Sequence, residues 1–223
     1  MSASTVGHYE GRAETFWQGT RDHDVSQNVA ALLRHLAPPP DNLSPPDKAP
    51  PSPLSAADRS PSQTVLDLGC GPGRDLVTFR DLGCEAIGLD GSQNFVRMAR
   101  EHSGCEVWQQ DLLALQLPAA RFDGIFANAV LFHVPRQALP RVLGELHAAL
   151  RPGGVLFASN PHGPDLERWN GERFGSYLSL PTWRAYLEAA SFDELEHYYR
   201  PDGLPRAEQP WLASVWRRRS APL

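Results

Sequence analysis

Cysteine is scarce, with only Cys70, Cys84 and Cys105 in a chain of 223 residues. An odd number with no C-x2-C pair argues against a disulfide framework and against a zinc site. The pattern reads as reduced thiols in a cytoplasmic protein. A basic excess is missing too. Lys and Arg total 21 against 26 Asp and Glu, a net charge of −5, so the electropositive footprint of nonspecific nucleic-acid binding is not there. No nucleic-acid partner is expected. No run approaches the roughly 18 consecutive apolar residues of a membrane span, and the opening MSASTVGHYEGRAETFW lacks the charged start and apolar stretch of a leader peptide. His102, His133, His147 and His162 fall on separate predicted elements without a converging carboxylate cluster, so no metal is implied.

Proline is the one residue in surplus: nine of the 21 fall between Pro38 and Pro61. That segment is poor in aromatic and β-branched residues, which predicts a mobile insertion over 38–61. Before it, 1–37 reads as a helical attachment, with helix-like patterns over 8–19 and 23–37. In the second, Val25, Val29, Leu32, Leu33 and Leu36 form an apolar stripe, and Asp22 or Asp24 is placed to cap its start. After it, 62–223 alternates short apolar runs with helical patterns. Strands are predicted at 64–68, 85–89, 106–109, 123–128 and 155–159, and helices at 73–82, 92–102 and 136–150. A helix at 182–190 and two strands, 195–199 and 211–216, follow. The alternation predicts a single α/β domain whose mostly parallel sheet has helices on both faces, and the last two strands form a hairpin at one edge.

The first strand runs into VLDLGCGPGRD, with Gly69, Gly71 and Gly73 between strand and helix. Glycines there permit a tight turn and a close approach of backbone to a ligand at the carboxyl end of the sheet. Asp67 precedes the turn within an apolar strand, and Asp90 ends the second strand, where a carboxylate can accept both hydroxyls of a ribose. Ser92 can cap the helix that follows.

This run resembles motif I of the class I S-adenosylmethionine-dependent methyltransferases, a D-x-G-x-G-x-G pattern formed by Asp67, Gly69, Gly71 and Gly73. Asp90 matches the family's ribose-binding acid, Asp111 in WQQDLLAL matches the residue that receives the adenine amino group, and LRPGGVLFASN (150–160) resembles a later turn and strand. FANAVLFHVP (126–135) resembles the small-molecule branch and lacks the N-P-P-[YF] or D-P-P-[YF] tetrad of amino-methylating DNA enzymes. The resemblance implies a Rossmann-like fold of seven strands with an antiparallel C-terminal strand. It also implies S-adenosylmethionine as cofactor, with Cys70, Gly91, Ser92, Leu112 and Asn128 completing the lining.

Methyl transfer to an N, O or S nucleophile depends mainly on placement and desolvation, so the acceptor site is sought among positioning groups. Tyr9, Trp17 and Thr20 are candidates to cover the cofactor, and Arg21 and His23 are candidates to recognise a carboxylate of the substrate or to supply a catalytic proton acceptor, with surface placement as the other reading. Asn128, Phe132 and His133 follow the fourth strand, and His133 is the most plausible base because an unperturbed imidazole titrates near neutrality. Asn160, Trp169, Arg173 and Tyr177 lie in or beside a segment, about 162–182, that reads as a substrate lid, with an edge helix or loop as the other reading. Tyr198, Tyr199 and Arg200 read as packing and solvent-facing side chains. The expectation is a small-molecule methyltransferase acting as a monomer or homodimer. The alternatives are a peptide or RNA methyltransferase, or a non-catalytic homologue.

Overall fold

The computed structural model describes residues 3–36 and 62–220; the proline-rich segment lies outside them. The centre of the fold is a seven-stranded sheet. β1 (Thr64–Leu68), β2 (Glu85–Asp90), β3 (Glu106–Gln109), β4 (Phe122–Asn128) and β5 (Leu150–Pro161) run parallel, while β9 (Trp211–Arg218) lies antiparallel between β5 and β8 (Phe192–Arg200), in the order β3-β2-β1-β4-β5-β9-β8. β1 is buried at all five positions, as expected of a strand covered on both faces. The expected hairpin is β8–β9. Its second strand is inserted one place in from the edge.

Two apolar layers cover the sheet. On one face α6 (Leu139–Ala149) and α7 (Leu180–Ala189) bury Val142, Leu146, Trp183 and Leu187. On the other, α4 (Arg74–Asp81) and α5 (Gln93–Ser103) are joined by α3 (Ser26–Leu33), whose Val29 and Leu32 reach the layer containing Phe79, Phe126 and Phe157. Burying each of those α3 side chains contributes about 1.5–3 kcal/mol. The N-terminal attachment is therefore partly core. α3 starts at Ser26, later than the 23–37 pattern, with Val25 as its N-cap, and Asp24 just ahead of it accepts from Ser26 N at 2.9 Å.

Three expectations differ from the structure. The pattern over 8–19 is two helices, α1 (Ala3–Glu10) and α2 (Ala13–Thr20), broken at Gly11 so that Glu10 turns toward α5. The helix predicted from 136 begins at Leu139, because Pro135 O closes a turn onto Ala138 N and Leu139 N first. The segment over 162–182, for which no strand was predicted, contains a separate two-stranded ribbon, β6 (Leu166–Asn170) with β7 (Arg173–Tyr177), leading into α7.

β8 is parallel to β5, so the sheet brings Leu68, Asp90, Asn128, Pro161 and Arg200 to one edge as strand termini, with Trp211 entering β9 beside them. That edge is where a parallel α/β sheet presents a ligand crevice.

Candidate active site

The glycine turn is shaped by close contact. A Cβ on Gly69 would fall 2.4 Å from Val130 Cγ2, and one on Gly73 would fall 2.8 Å from the Ala99 Cα. These two positions let β1 and α4 nest against the β4 loop and α5. Between them, Gly71 N donates to Asp90 Oδ2 at 3.0 Å, while Ser92 N donates to Asp90 Oδ1 at 2.9 Å. The Gly91 N–H acts on this carboxylate as well, so three backbone donors surround it. Burial raises the Asp90 carboxyl to about 6, against the lowering effect of its backbone donors. Asp67 lies behind the turn, with Oδ2 buried and unpartnered. Burial and then the neighbouring Asp75 hold its carboxyl well above the usual range.

The cover is tied down by Glu10. Its carboxylate accepts from Ser92 Oγ at 2.5 Å and from Asn94 N at 3.1 Å, at the N-terminus of α5, where an anion is favoured by the helix dipole. Ser92 Oγ also caps α5 through Phe95 N. Phe16 packs on Phe95 with ring centroids 5.2 Å apart, and Trp17 stacks on His102 at 4.5 Å. Arg74 donates to Thr20 O at 2.8 Å and grips Asp75 through Nε and Nη2.

Between cover and sheet edge lies a cavity of about 720 Å³. Tyr9, Trp17, Thr20, His23, Gly69, Cys70, Gly71, Asp90, Asn128 and His133 line it, all of them singled out from sequence. In its middle, Asn28 donates from Nδ2 to Asn128 Oδ1 at 3.1 Å, and Tyr198 donates its hydroxyl to Asn28 Oδ1 at 2.9 Å. This chain leaves the Asn128 amide donor for a ligand.

His133 has a tautomer dictated by its partners. Nδ1 lies 2.6 Å from Phe174 O, which can only accept, so Nδ1 carries the proton. Nε2 therefore accepts from the Tyr9 hydroxyl at 2.9 Å. Burial lowers His133 to about 4 and raises Tyr9 above its ordinary value, with Arg173 pulling Tyr9 the other way. The imidazole is neutral at physiological pH, and its titration does not lie near neutrality as an unperturbed histidine's would.

The other predicted positions lie outside the cavity wall. Gly73 packs on α5, and Gly91 lies under Val6 of α1. Ser92 is the α5 cap, Asp111 caps the turn at 112–114 through Leu113 N, and Leu112 is in the core. Arg21 is exposed and pairs with Asp22. Phe132 and Asn160 border a small neighbouring pocket. Trp169 is 54 % exposed, Tyr177 lies under Arg168, and Arg173 acts on Tyr9 from β7. The wall also contains Phe16, Arg74, Asn28, Phe95, Ser159, Arg200 and Trp211, which the sequence did not mark as ligand-facing. Arg74 had a signal, since it follows the glycine motif directly. Among the described residues no group of three or more His, Cys, Asp or Glu is arranged to hold a metal, and no helix is long and apolar enough to cross a membrane.

Residues 65–154 match the family described as "Methyltransferase domain". Trans-aconitate 2-methyltransferase of Azoarcus sp. (strain BH72) is 42% identical over 104 residues, 46% of this chain and 40% of that protein. Malonyl-[acyl-carrier protein] O-methyltransferase of Enterobacter lignolyticus (strain SCF1) is 39% identical over 93 residues, 41% of this chain and 36% of that protein. The matches thus span well under half the length of these curated relatives. In fold, the chain is similar to a Burkholderia thailandensis 1,6-didemethyltoxoflavin-N1-methyltransferase solved with S-adenosylhomocysteine, with TM-score 0.73, 22% identity, and 98% of this chain and 89% of that one covered. The core of this chain is thus similar to a methyltransferase domain over residues 65–154, and its fold is similar to that of solved methyltransferases.

Proposed function

We propose that the protein transfers a methyl group from S-adenosylmethionine to a nucleophilic atom of a small polar molecule. The observation that carries this reading is one cavity lined both by the glycine turn with Asp90 and by the polar groups Asn128, Tyr9 and His133. The Asp90 carboxylate, fixed by backbone donors from Gly71, Gly91 and Ser92, suits a ribose diol. The Gly69–Gly71 backbone is open to the rest of the cofactor, with Tyr9, Trp17 and Thr20 covering it. Relatives named for trans-aconitate, malonyl-acyl carrier protein and phosphoethanolamine act on different acceptors, so they support the reaction class without choosing the nucleophile.

When bound, S-adenosylmethionine supplies an electrophilic methyl group on a sulfonium. The chain's own contribution is placement in a water-poor cavity. Asn128, held by Asn28 and Tyr198, presents a donor of fixed orientation. The Tyr9 hydroxyl directs its proton to His133 Nε2 and its oxygen is also held by the Arg173 guanidinium, which leaves one lone pair for a ligand. Through it the oxygen can accept from an acceptor's N–H or O–H and align the attacking lone pair. An imidazole titrating at about 4 is a poor proton store at pH 7, so His133 orients Tyr9 and does not act as a free base. The test is calorimetric titration with S-adenosylhomocysteine, followed by labelled-methyl transfer to a metabolite panel. We expect tight binding of the product cofactor and labelling of a small molecule. Absence of cofactor binding overturns the enzyme reading, and labelling of peptide or RNA alone overturns the acceptor class.

A further inference from the structure

The cavity extends past Asn128 to the β8–β9 end of the sheet, where Ser159, Arg200 and Trp211 close it. This is the side away from Asp90, since β2 and β8 lie on opposite flanks of β4 in the strand order. Two arginines line the wall, and their charges are treated differently. Arg74 is neutralised by a two-point grip on Asp75, at 2.7 and 3.0 Å. Arg200 forms no ion pair among the described residues. One of its N–H groups donates to the Asp24 backbone carbonyl at 3.0 Å, and its Nε is buried without a partner. The nearby Asp24 carboxylate is engaged by Ser26 N, which is the main cause of its lowered pKa, with Arg200 contributing least. His23 is the other titratable group on this rim. A guanidinium has five donors in a planar fork matched to a carboxylate. Of those without a protein acceptor, only Nε is shut off from solvent; the outer N–H groups are solvent-reached and open to a carboxylate in place of water.

Trp211 is paired directly with Arg200 across β8–β9, and its ring meets Phe132 edge-on at 6.3 Å. Cation and aromatic surface thus stand together at the acceptor end. We propose that the methyl acceptor is a small carboxylate with an apolar, planar portion, its anion held by the Arg200 fork and its flat face set against Trp211. This rests on the methyltransferase reading above and adds the acceptor's charge and shape.

The test titrates benzoate and its neutral isostere benzamide into protein saturated with S-adenosylhomocysteine, with inorganic phosphate as a second anion. We expect benzoate to bind about tenfold or more tightly than benzamide, as for one charge-assisted hydrogen-bonded pair, and phosphate to bind more weakly than benzoate. Arg200→Gln removes the charge and the planar fork. It should bring benzoate down to the benzamide level while leaving S-adenosylhomocysteine affinity and melting temperature unchanged, and Arg200→Lys should recover part of the loss. Equal affinity for benzoate and benzamide, an unaffected Arg200→Gln variant, or no binding of either probe up to about 10 mM overturns the proposal. So does loss of cofactor affinity in Arg200→Gln, which would make Arg200 a brace for the cover. Phosphate binding tighter than benzoate overturns the carboxylate assignment. Failure of the wild-type protein to bind S-adenosylhomocysteine falls instead on the methyltransferase reading, and so separates the two.

Discussion

The two ends of the cavity are built in different ways. The Asp90 end is made by neighbours in sequence: two glycines whose Cβ positions are occupied by Val130 and Ala99, and a carboxylate bonded to backbone N–H groups at 71 and 92. The Arg200 end is assembled from segments far apart in the chain: Asn28 from α3, Ser159 from β5, Arg200 and Trp211 from β8 and β9, with Tyr9 and His133 at the boundary. Backbone geometry makes the first end intolerant of change. Side-chain contacts between added segments make the second adjustable, so under the proposed function a common cofactor end is compatible with differing acceptor ends.

Substitutions at the two ends should separate them sharply. The largest effect is expected for Gly73→Val, which places a branched side chain at φ +93°, 2.8 Å from Ala99 backbone. Loss of about 3 kcal/mol or more in denaturant unfolding is expected, and a stable variant would show that the turn yields. Asp90→Ala should come next, weakening S-adenosylhomocysteine about 100-fold by calorimetry while the fold persists. Wild-type affinity there would displace the ribose from β2. Cofactor affinity should also depend on pH. Ribose hydroxyls donate to ionised Asp90, so ligand and proton compete. Affinity should be flat above about 6 and fall about tenfold per unit below it. The sign for stability is the reverse. A folded value above the ordinary one means that Asp90 favours the unliganded fold at low pH, and that contribution is lost as pH rises through about 6.

Smaller effects are expected at the boundary. Tyr9→Phe should lower kcat about tenfold with little change in cofactor affinity, the loss of one directed hydrogen bond. Because His133 titrates at about 4, no rate change near pH 6.5 should arise from it; such a limb, removed by His133→Asn, would restore it as a base. The smallest effect belongs to Glu172→Gln at the ribbon tip, where exposed pairs with His8 and Arg12 should alter kcat/KM by less than about twofold. A larger drop would mean that the ribbon's grip on α1 controls the acceptor end.

The parts that were legible from sequence share a physical cause. Buried parallel strands read as continuous apolar runs, so β1 was recognisable at its full length, and the glycine turn with Asp90 is short-range chemistry. The ribbon was not legible as strands because β6 is exposed at every position and carries no alternation to mark a buried face. The break at Gly11 was hidden within one helical pattern, since both halves are helical and only the docking of Glu10 on α5 separates them. Arg200 looked like a surface residue because nothing local distinguishes an arginine at a strand end from one in a cavity wall.

Sequence alone determined the layered α/β core, the glycine turn, and the carboxylate beside it, because period, turn chemistry and strand composition act over a few residues. Tertiary structure alone decided that Tyr9 meets His133 across 124 positions, that burial takes the imidazole down to about 4, and that Arg200 lines the cavity without an ion pair among the described residues. Those outcomes depend on which distant groups are brought together and how far water is excluded between them, and no local pattern encodes either.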